Sequence, residues 1–175
     1  MSEHTGTINL GLTIIKGRRS IRKYRDTPVE EHIIMSALEA ARLAPTARNV
    51  QPWLIGVVRD KERLAKLGSM ADTGSFIKDA AVCFAVFTKK DHKYYIEDGS
   101  AATMQIILAL QSFGVGSCWV AGDKKPYAED VRKLLNVPES YTLLSLIPAG
   151  YPAEVTVPSK KELDEIYFME EYKEE

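Results

Sequence analysis

Near the N-terminus, Arg18-Arg19-Ser20-Ile21-Arg22 gathers three guanidiniums and a hydroxyl in one short stretch. Two guanidiniums and a hydroxyl this close can converge on a phosphate through charge-assisted hydrogen bonds, leaving the third arginine free to face a different group. The same run also fits a solvated basic loop. A second stretch, Ala44-Pro45-Thr46-Ala47-Arg48-Asn49-Val50-Gln51-Pro52-Trp53, is held by proline near both ends. Between the prolines, Thr46, Asn49 and Gln51 offer donors and acceptors at one place, suited to a flat heteroaromatic ring. Equally, Thr46 and Asn49 could satisfy backbone groups of a turn while Gln51 braces the start of a strand. Gly114-Val115-Gly116-Ser117-Cys118-Trp119-Val120-Ala121-Gly122 is a third candidate, because glycine permits close backbone approach and the Gly122 amide could donate to a ligand atom. Its spacing is not Gly-x-Gly-x-x-Gly, so a Rossmann dinucleotide site is not supported. Finally, Ser159-Lys160-Lys161 carries two cations that could assist an anion or simply be solvated.

The elements that position these clusters follow from hydrophobic periodicity. A helical stretch near Ile14 and Ile15 precedes the basic run. Ile33, Ile34, Leu38, Ala41 and Leu43 recur at helical spacing and predict a helix from about Glu30 to Leu43, ending before Pro45. Short apolar runs at Trp53–Val58, Ala81–Phe87 and Leu143–Ala149 predict strands of a sheet covered on both faces. A short helix is expected over Lys61 to Ser69, and another over Ala128 to Leu135. Asp98 to Phe113 is apolar almost all round and stops at Gly114, so that helix must be buried on several sides, in part against another subunit. Gly116–Gly122 suggests a short strand leaving a glycine-bounded turn. Beyond Gly150, Tyr151–Pro158 suggests an extended arm without a core of its own, suited to wrapping around a partner.

With 175 residues, 45% of them hydrophobic, the chain suffices for one well-buried domain and is short for two. Its 23 basic and 24 acidic side chains are spread along the sequence, without the one-sided basic footprint of a nucleic-acid binder. Met1–Leu12 lacks the pattern of a secretory signal, and no apolar run reaches the roughly 20 residues that span a bilayer, so a cytoplasmic protein is expected. Cys83 and Cys118 sit in apolar runs without metal or redox spacing and are expected as buried free thiols.

Taken together and in this order, the clusters resemble the nitroreductase family. Arg18–Arg22 looks like its N-terminal flavin motif. Ala44–Trp53 is similar to its second motif, with threonine where serine is common, and Gly114–Trp119 resembles the segment that reaches the flavin ring in its shorter members. With the Lys160-Lys161 pair, the resemblance extends over nearly the whole chain.

It implies an α+β fold with a central mixed sheet flanked by helices, in one domain over residues 1–175 whose segment 151–175 is an arm exchanged within an intertwined homodimer. Non-covalent FMN would sit at the subunit interface. Carried over by position, Arg18 and Ser20 hold the FMN phosphate with Lys160 or Lys161 assisting, Arg19 lies alongside, and Arg22 faces the pyrimidine edge. Pro45, Thr46, Ala47 and Asn49 approach the ring from the other subunit, while the Ala121-Gly122 backbone lies beside N5. The implied reaction takes hydride from NADH or NADPH through FMN to a nitroaromatic or quinone-like acceptor by a ping-pong sequence, with neither a metal nor a side-chain acid or base. The same residues would also serve a protein that stores or senses FMN, or a variant with other flavin chemistry such as flavin destruction or reductive dehalogenation. Ala121 stands where several larger members have glutamate, and Asp72–Ser75 where they have an amide and a lysine. Lys89–Glu97 leaves no room for the helices that cover the substrate in larger relatives; its Tyr94 and Tyr95 could line a pocket or pack at the surface.

Overall fold

The apolar run after Ala80 becomes strand β2 (Val82–Lys89), fully buried from Val82 to Thr88 in the computed structural model, which describes residues 9–172. Residues 1–8, on which much of the N-terminal signal reading rests, and the last three of the arm lie outside the described residues. Along β2 the side chains alternate: Val82, Phe84 and Val86 enter one core, Cys83, Ala85 and Phe87 the other. This explains an unbroken apolar run, because both faces of the strand are covered.

The elements follow the order α1 (Leu10–Gly17), α2 (Glu31–Arg42), β1 (Trp53–Val58), α3 (Lys61–Met70), β2, α4 (Tyr95–Ser112), β3 (Gly116–Ser117), β4 (Val120–Ala121), α5 (Ala128–Leu134) and β5 (Tyr141–Gly150). Each predicted helix and long strand is present, with ends moved by at most a few residues. Asn9 caps α1 by accepting from Leu12 N (3.0 Å), and Asp60 caps α3 by accepting from Arg63 N (3.0 Å). The sheet order is β1-β2-β5-β3, with β4 also on β5. Helices α2 and α4 cover one face through Ile33, Ile34, Ala37, Ile106 and Leu110; α3, α5 and the turn 75–79 cover the other through Leu64, Leu67, Val131 and Ile77. Among the described residues the strand pairings are antiparallel, and the parallel share of the expected mixed sheet is one bridge, Ser20 to Ser117, where the basic run lies along β3 without becoming a strand.

Two irregularities in β5 matter for the site. Val86 pairs with Ser145 but Phe87 with Leu143, so Leu144 is an extra, bulged residue. The expected strand in Gly116–Gly122 is split into β3 and β4, which keep one register: Gly116 opposite Gly150, Ala121 opposite Ser145. The break falls at Cys118, whose amide donates to Pro148 O (3.2 Å) while the proline has no N–H to return.

Helix α4 buries Ala102, Ile106, Ile107 and Leu110 but leaves Met104 exposed and Ala101 and Leu108 half-buried. The arm begins in register, with Arg25 N donating to Tyr151 O (2.8 Å) and Ala153 N to Lys23 O (3.0 Å), and is exposed from Val155 onward. Cys83 and Cys118 are buried free thiols, and burial pushes the Cys83 thiol up to about 12. Among the described residues no helix is long and apolar enough to cross a membrane.

Candidate functional site

At the end of α1 the chain turns extended: Arg18 N donates to Ile14 O (3.1 Å), and Ile21 N then reaches Ser117 O (3.0 Å). The buried Ile21 side chain lies over Gly116, where an added Cβ would come within 2.6 Å of it, so glycine is required for this close approach. The stitching fixes Arg18 and Ser20 on one wall of a cleft of about 480 Å³, whose opposite wall is the arm through Val157, Pro158 and Lys160. Four cations, Lys16, Arg18, Arg19 and Lys160, line the cleft and no carboxylate does. Arg19 donates to the carbonyls of Lys16 (2.7 Å) and Arg18 (2.8 Å), closing the C-terminus of α1, so its charge is braced beside the cleft. Lys161 is exposed and does not line it. A groove of about 510 Å³ between β1 and the end of α5 sets Arg59 and Arg63 against Asp60 and contains none of the expected site residues.

Arg22 stands 5.8 Å above the Phe76 ring, a cation–π contact that restricts an otherwise exposed guanidinium. Burial pushes the Cys118 thiol up, while Arg22, the Ser20 side chain and Arg18 draw it partly back. These residues therefore share one electropositive neighbourhood.

The Pro45–Gln51 loop is organised differently, and by a residue that sequence analysis did not single out. Asp98, on the first turn of α4 and only 4% exposed, accepts from Thr46 Oγ1 (2.7 Å) and Ala47 N (3.0 Å). His92 Nε2 lies 2.9 Å from the same carboxylate. Burial pushes the Asp98 carboxyl up, but the bonds from Thr46, Ala47 and His92 together outweigh it and hold it below the usual carboxylate range. Thr46 Oγ1 in turn accepts from Gln51 N (3.0 Å), and Gln51 Nε2 donates to Asn49 Oδ1 (3.1 Å). Arg48, Asn49 and Gln51 are left-handed, at φ of 54°, 57° and 52°. Strain of this kind, about 1–3 kcal/mol for a residue, persists only where neighbours over-determine the conformation. No residue of this loop lines the basic cleft. The available signal for Asp98 was that it and Glu97 are the acidic residues of a helix otherwise rich in alanine and aliphatic residues, and of the two it falls on the apolar side.

The Gly122 amide, read from the sequence as a candidate donor to a ligand, has a partner within the fold. Gly122 N donates to Leu144 O (2.8 Å), and Asp123 N reaches the same carbonyl (3.1 Å), because the bulge turns it toward them. A Cβ at Gly122 would meet Leu143 Cγ at 2.6 Å, so the glycine serves contact with β5. Ala121 remains exposed at the sheet end, its carbonyl accepting from the Tyr127 hydroxyl. Tyr95 donates to Asp123 Oδ1 (3.1 Å) and ties α4 to this turn, whereas Tyr94 is exposed under Lys93.

The model of the nitroreductase family matches residues 15–73 and 69–151, which includes the basic run, the Pro45 loop and all five strands. The chain belongs to the nitroreductase family. A relative from Methanothermobacter thermautotrophicus, provisionally named an NADH dehydrogenase/NAD(P)H nitroreductase, is 38% identical over 148 residues, covering 82% of this chain and 78% of its own. Among solved structures, an FMN-dependent nitroreductase from Clostridium difficile superposes with a TM-score of 0.87 at 30% identity, covering 92% of this chain and 99% of its own. A provisionally named nitroreductase from Desulfovibrio desulfuricans, solved in complex with FMN, gives 0.85 at 28% identity, covering 95% of this chain and 99% of its own. The nitroreductase fold of this chain thus reaches the ends of both solved neighbours almost completely.

Proposed function

We propose that this nitroreductase-family chain is an FMN-dependent oxidoreductase that uses NADH or NADPH to reduce a small electron-poor acceptor, of the nitroaromatic or quinone type, in a cytoplasmic homodimer. The observation that carries the reading is the cleft of Arg18, Ser20 and Lys160, which holds four cations and no carboxylate and so fits the dianionic phosphate of FMN. The names of the two solved neighbours, one FMN-dependent and one in complex with FMN, support the same cofactor.

Bound FMN would supply two-electron hydride chemistry at N5, accepting from the nicotinamide and delivering to the acceptor in turn. The chain's own residues do the holding and tuning. Arg18 and Ser20 bind the phosphate with Lys160, and with Lys161 placed farther out along the arm. Arg19 keeps the end of α1 in shape. Arg22, restrained by Phe76, brings a fixed positive charge to the pyrimidine edge, where it stabilises the negative charge that reduction leaves. Ala121 and the peptide face of Gly122 border the ring. Pro45, Thr46, Ala47 and Asn49 complete the partner's site, which accords with their separation from the cleft of their own protomer and with the exposed Met104 on α4.

Stopped-flow mixing of the FMN-loaded dimer with NADH and with NADPH tests the assignment. Rapid bleaching of the flavin band, followed by reoxidation on adding a quinone or nitroaromatic, is expected. A flavin that stays oxidised with both nucleotides would point to a storage or sensing protein.

A further inference from the structure

We propose that Asp98 is a positioning residue of the flavin site: clamped between Thr46, Ala47 and His92, its carboxylate sets the conformation of the loop that meets the ring. This rests on the reading of Pro45–Asn49 as ring-facing.

A carboxylate removed from water is unfavourable unless each oxygen is bonded. Asp98 nevertheless stands there with contacts that all leave its own helix. Thr46 and Ala47 are 52 and 51 residues away in sequence, and His92 belongs to the segment between β2 and α4. An ionised carboxylate only accepts. The Thr46 hydroxyl must therefore donate to Oδ2, which leaves its own lone pairs for the Gln51 amide. Because Oδ2 also faces His92 Nε2, that nitrogen carries a proton. The result is a directed chain, Gln51 amide to Thr46 hydroxyl to Asp98, that closes the turn containing left-handed Arg48 and Asn49. The side chains of Arg48 and Asn49 are exposed, so core packing does not hold them in this conformation.

The chemistry predicts which replacements are tolerated. Serine at position 46 keeps the relay and valine removes it. Asparagine at position 98 sets an N–H against the converging donors from Thr46, Ala47 and His92. Releasing the loop should disturb the flavin ring and leave the phosphate cleft intact.

The test compares FMN-loaded dimers of wild type, Asp98→Asn, Thr46→Val, Thr46→Ser and the double variant Asp98→Asn/Thr46→Val, with Arg18→Ala alongside. Asp98→Asn and Thr46→Val should each shift the visible flavin band and weaken FMN about tenfold, the scale of one lost bond to a charged group. The double variant should be no worse than the more severe single one, because both break the same chain, and Thr46→Ser should behave as wild type. Wild-type spectra and affinity for Asp98→Asn and Thr46→Val would overturn the clamp, as would equal damage from Thr46→Ser and Thr46→Val. If Asp98→Asn fails to fold, the valine and serine variants still decide. Should Arg18→Ala also leave FMN affinity unchanged, it is the flavin reading that falls; should it weaken FMN while the clamp variants stay silent, only the clamp falls.

Discussion

Strand β5 and the arm that continues it are both rich in large apolar side chains, yet β5 is buried at every residue from Leu143 to Gly150 and the arm is exposed at every residue from Val155 to Tyr172. Leu146 and Ile147 are fully enclosed, while Val157, Phe168 and Met169 are 72%, 59% and 78% exposed. The change takes place within a few residues, just past the backbone bonds that tie Tyr151 and Ala153 to Arg25 and Lys23. Apolar content alone therefore does not make a core. The strand finds partners on both faces of its own sheet, whereas the arm leaves Val157, Leu163, Ile166, Phe168 and Met169 uncovered. A second subunit is the partner we propose for it, and through Val157, Pro158 and Lys160 the arm also forms one wall of the proposed flavin site.

The largest effect should come from the enclosed side. Phe84→Ala, at a fully buried position between β1 and β5, should lower unfolding stability by about 3–5 kcal/mol in urea titration. A loss below about 1 kcal/mol would mean that the sheet is packed far more loosely than the strand pairing implies. Replacing Phe168 and Met169 by serine is the matching change in the arm. In an isolated protomer such exposed sites should move stability by less than about 0.5 kcal/mol each. If the arm seats on a partner, sedimentation should instead show the dimer dissociating at concentrations roughly a hundredfold higher than wild type, the scale of two lost anchors. An unchanged dimer removes the arm from the interface.

Next come the two walls of the cleft. Arg18→Ala should weaken FMN by about 1.5–3 kcal/mol in equilibrium titration at moderate salt, and Lys160→Ala by less than about 1 kcal/mol, since Lys160 is an exposed point charge on the arm. Equal losses would place the arm as deep in the site as the domain itself. The smallest effect on affinity is expected for Arg22→Ala, which should lower the FMN midpoint potential and slow reduction by NAD(P)H. Potentiometry giving an unchanged or raised potential would return Arg22 to its contact with Phe76 alone.

Much of this architecture was legible in the sequence because the signals that encode it are local. Runs such as Trp53–Val58 and Val82–Phe87 are strands for the same reason that they are apolar, and the helical spacing from Ile33 to Ala41 requires only neighbours one turn away. The basic run was legible by composition, although its union with Lys160 needed the arm to fold back across about 140 residues of chain, a loop whose closure composition does not reveal.

By itself, then, the sequence determined the α+β layering, the two-faced strands, the free buried thiols and the family. Tertiary structure alone decided that the Leu144 bulge takes up the Gly122 amide, that Pro148 divides the strand opposite it, and that a carboxylate in α4 governs the turn at Thr46. The physical reason is range. Periodicity and caps act over a turn or two of chain, whereas the partner of a buried amide or carboxylate is set by strand register and helix placement, and a one-residue shift in β5 would present that amide with a different group.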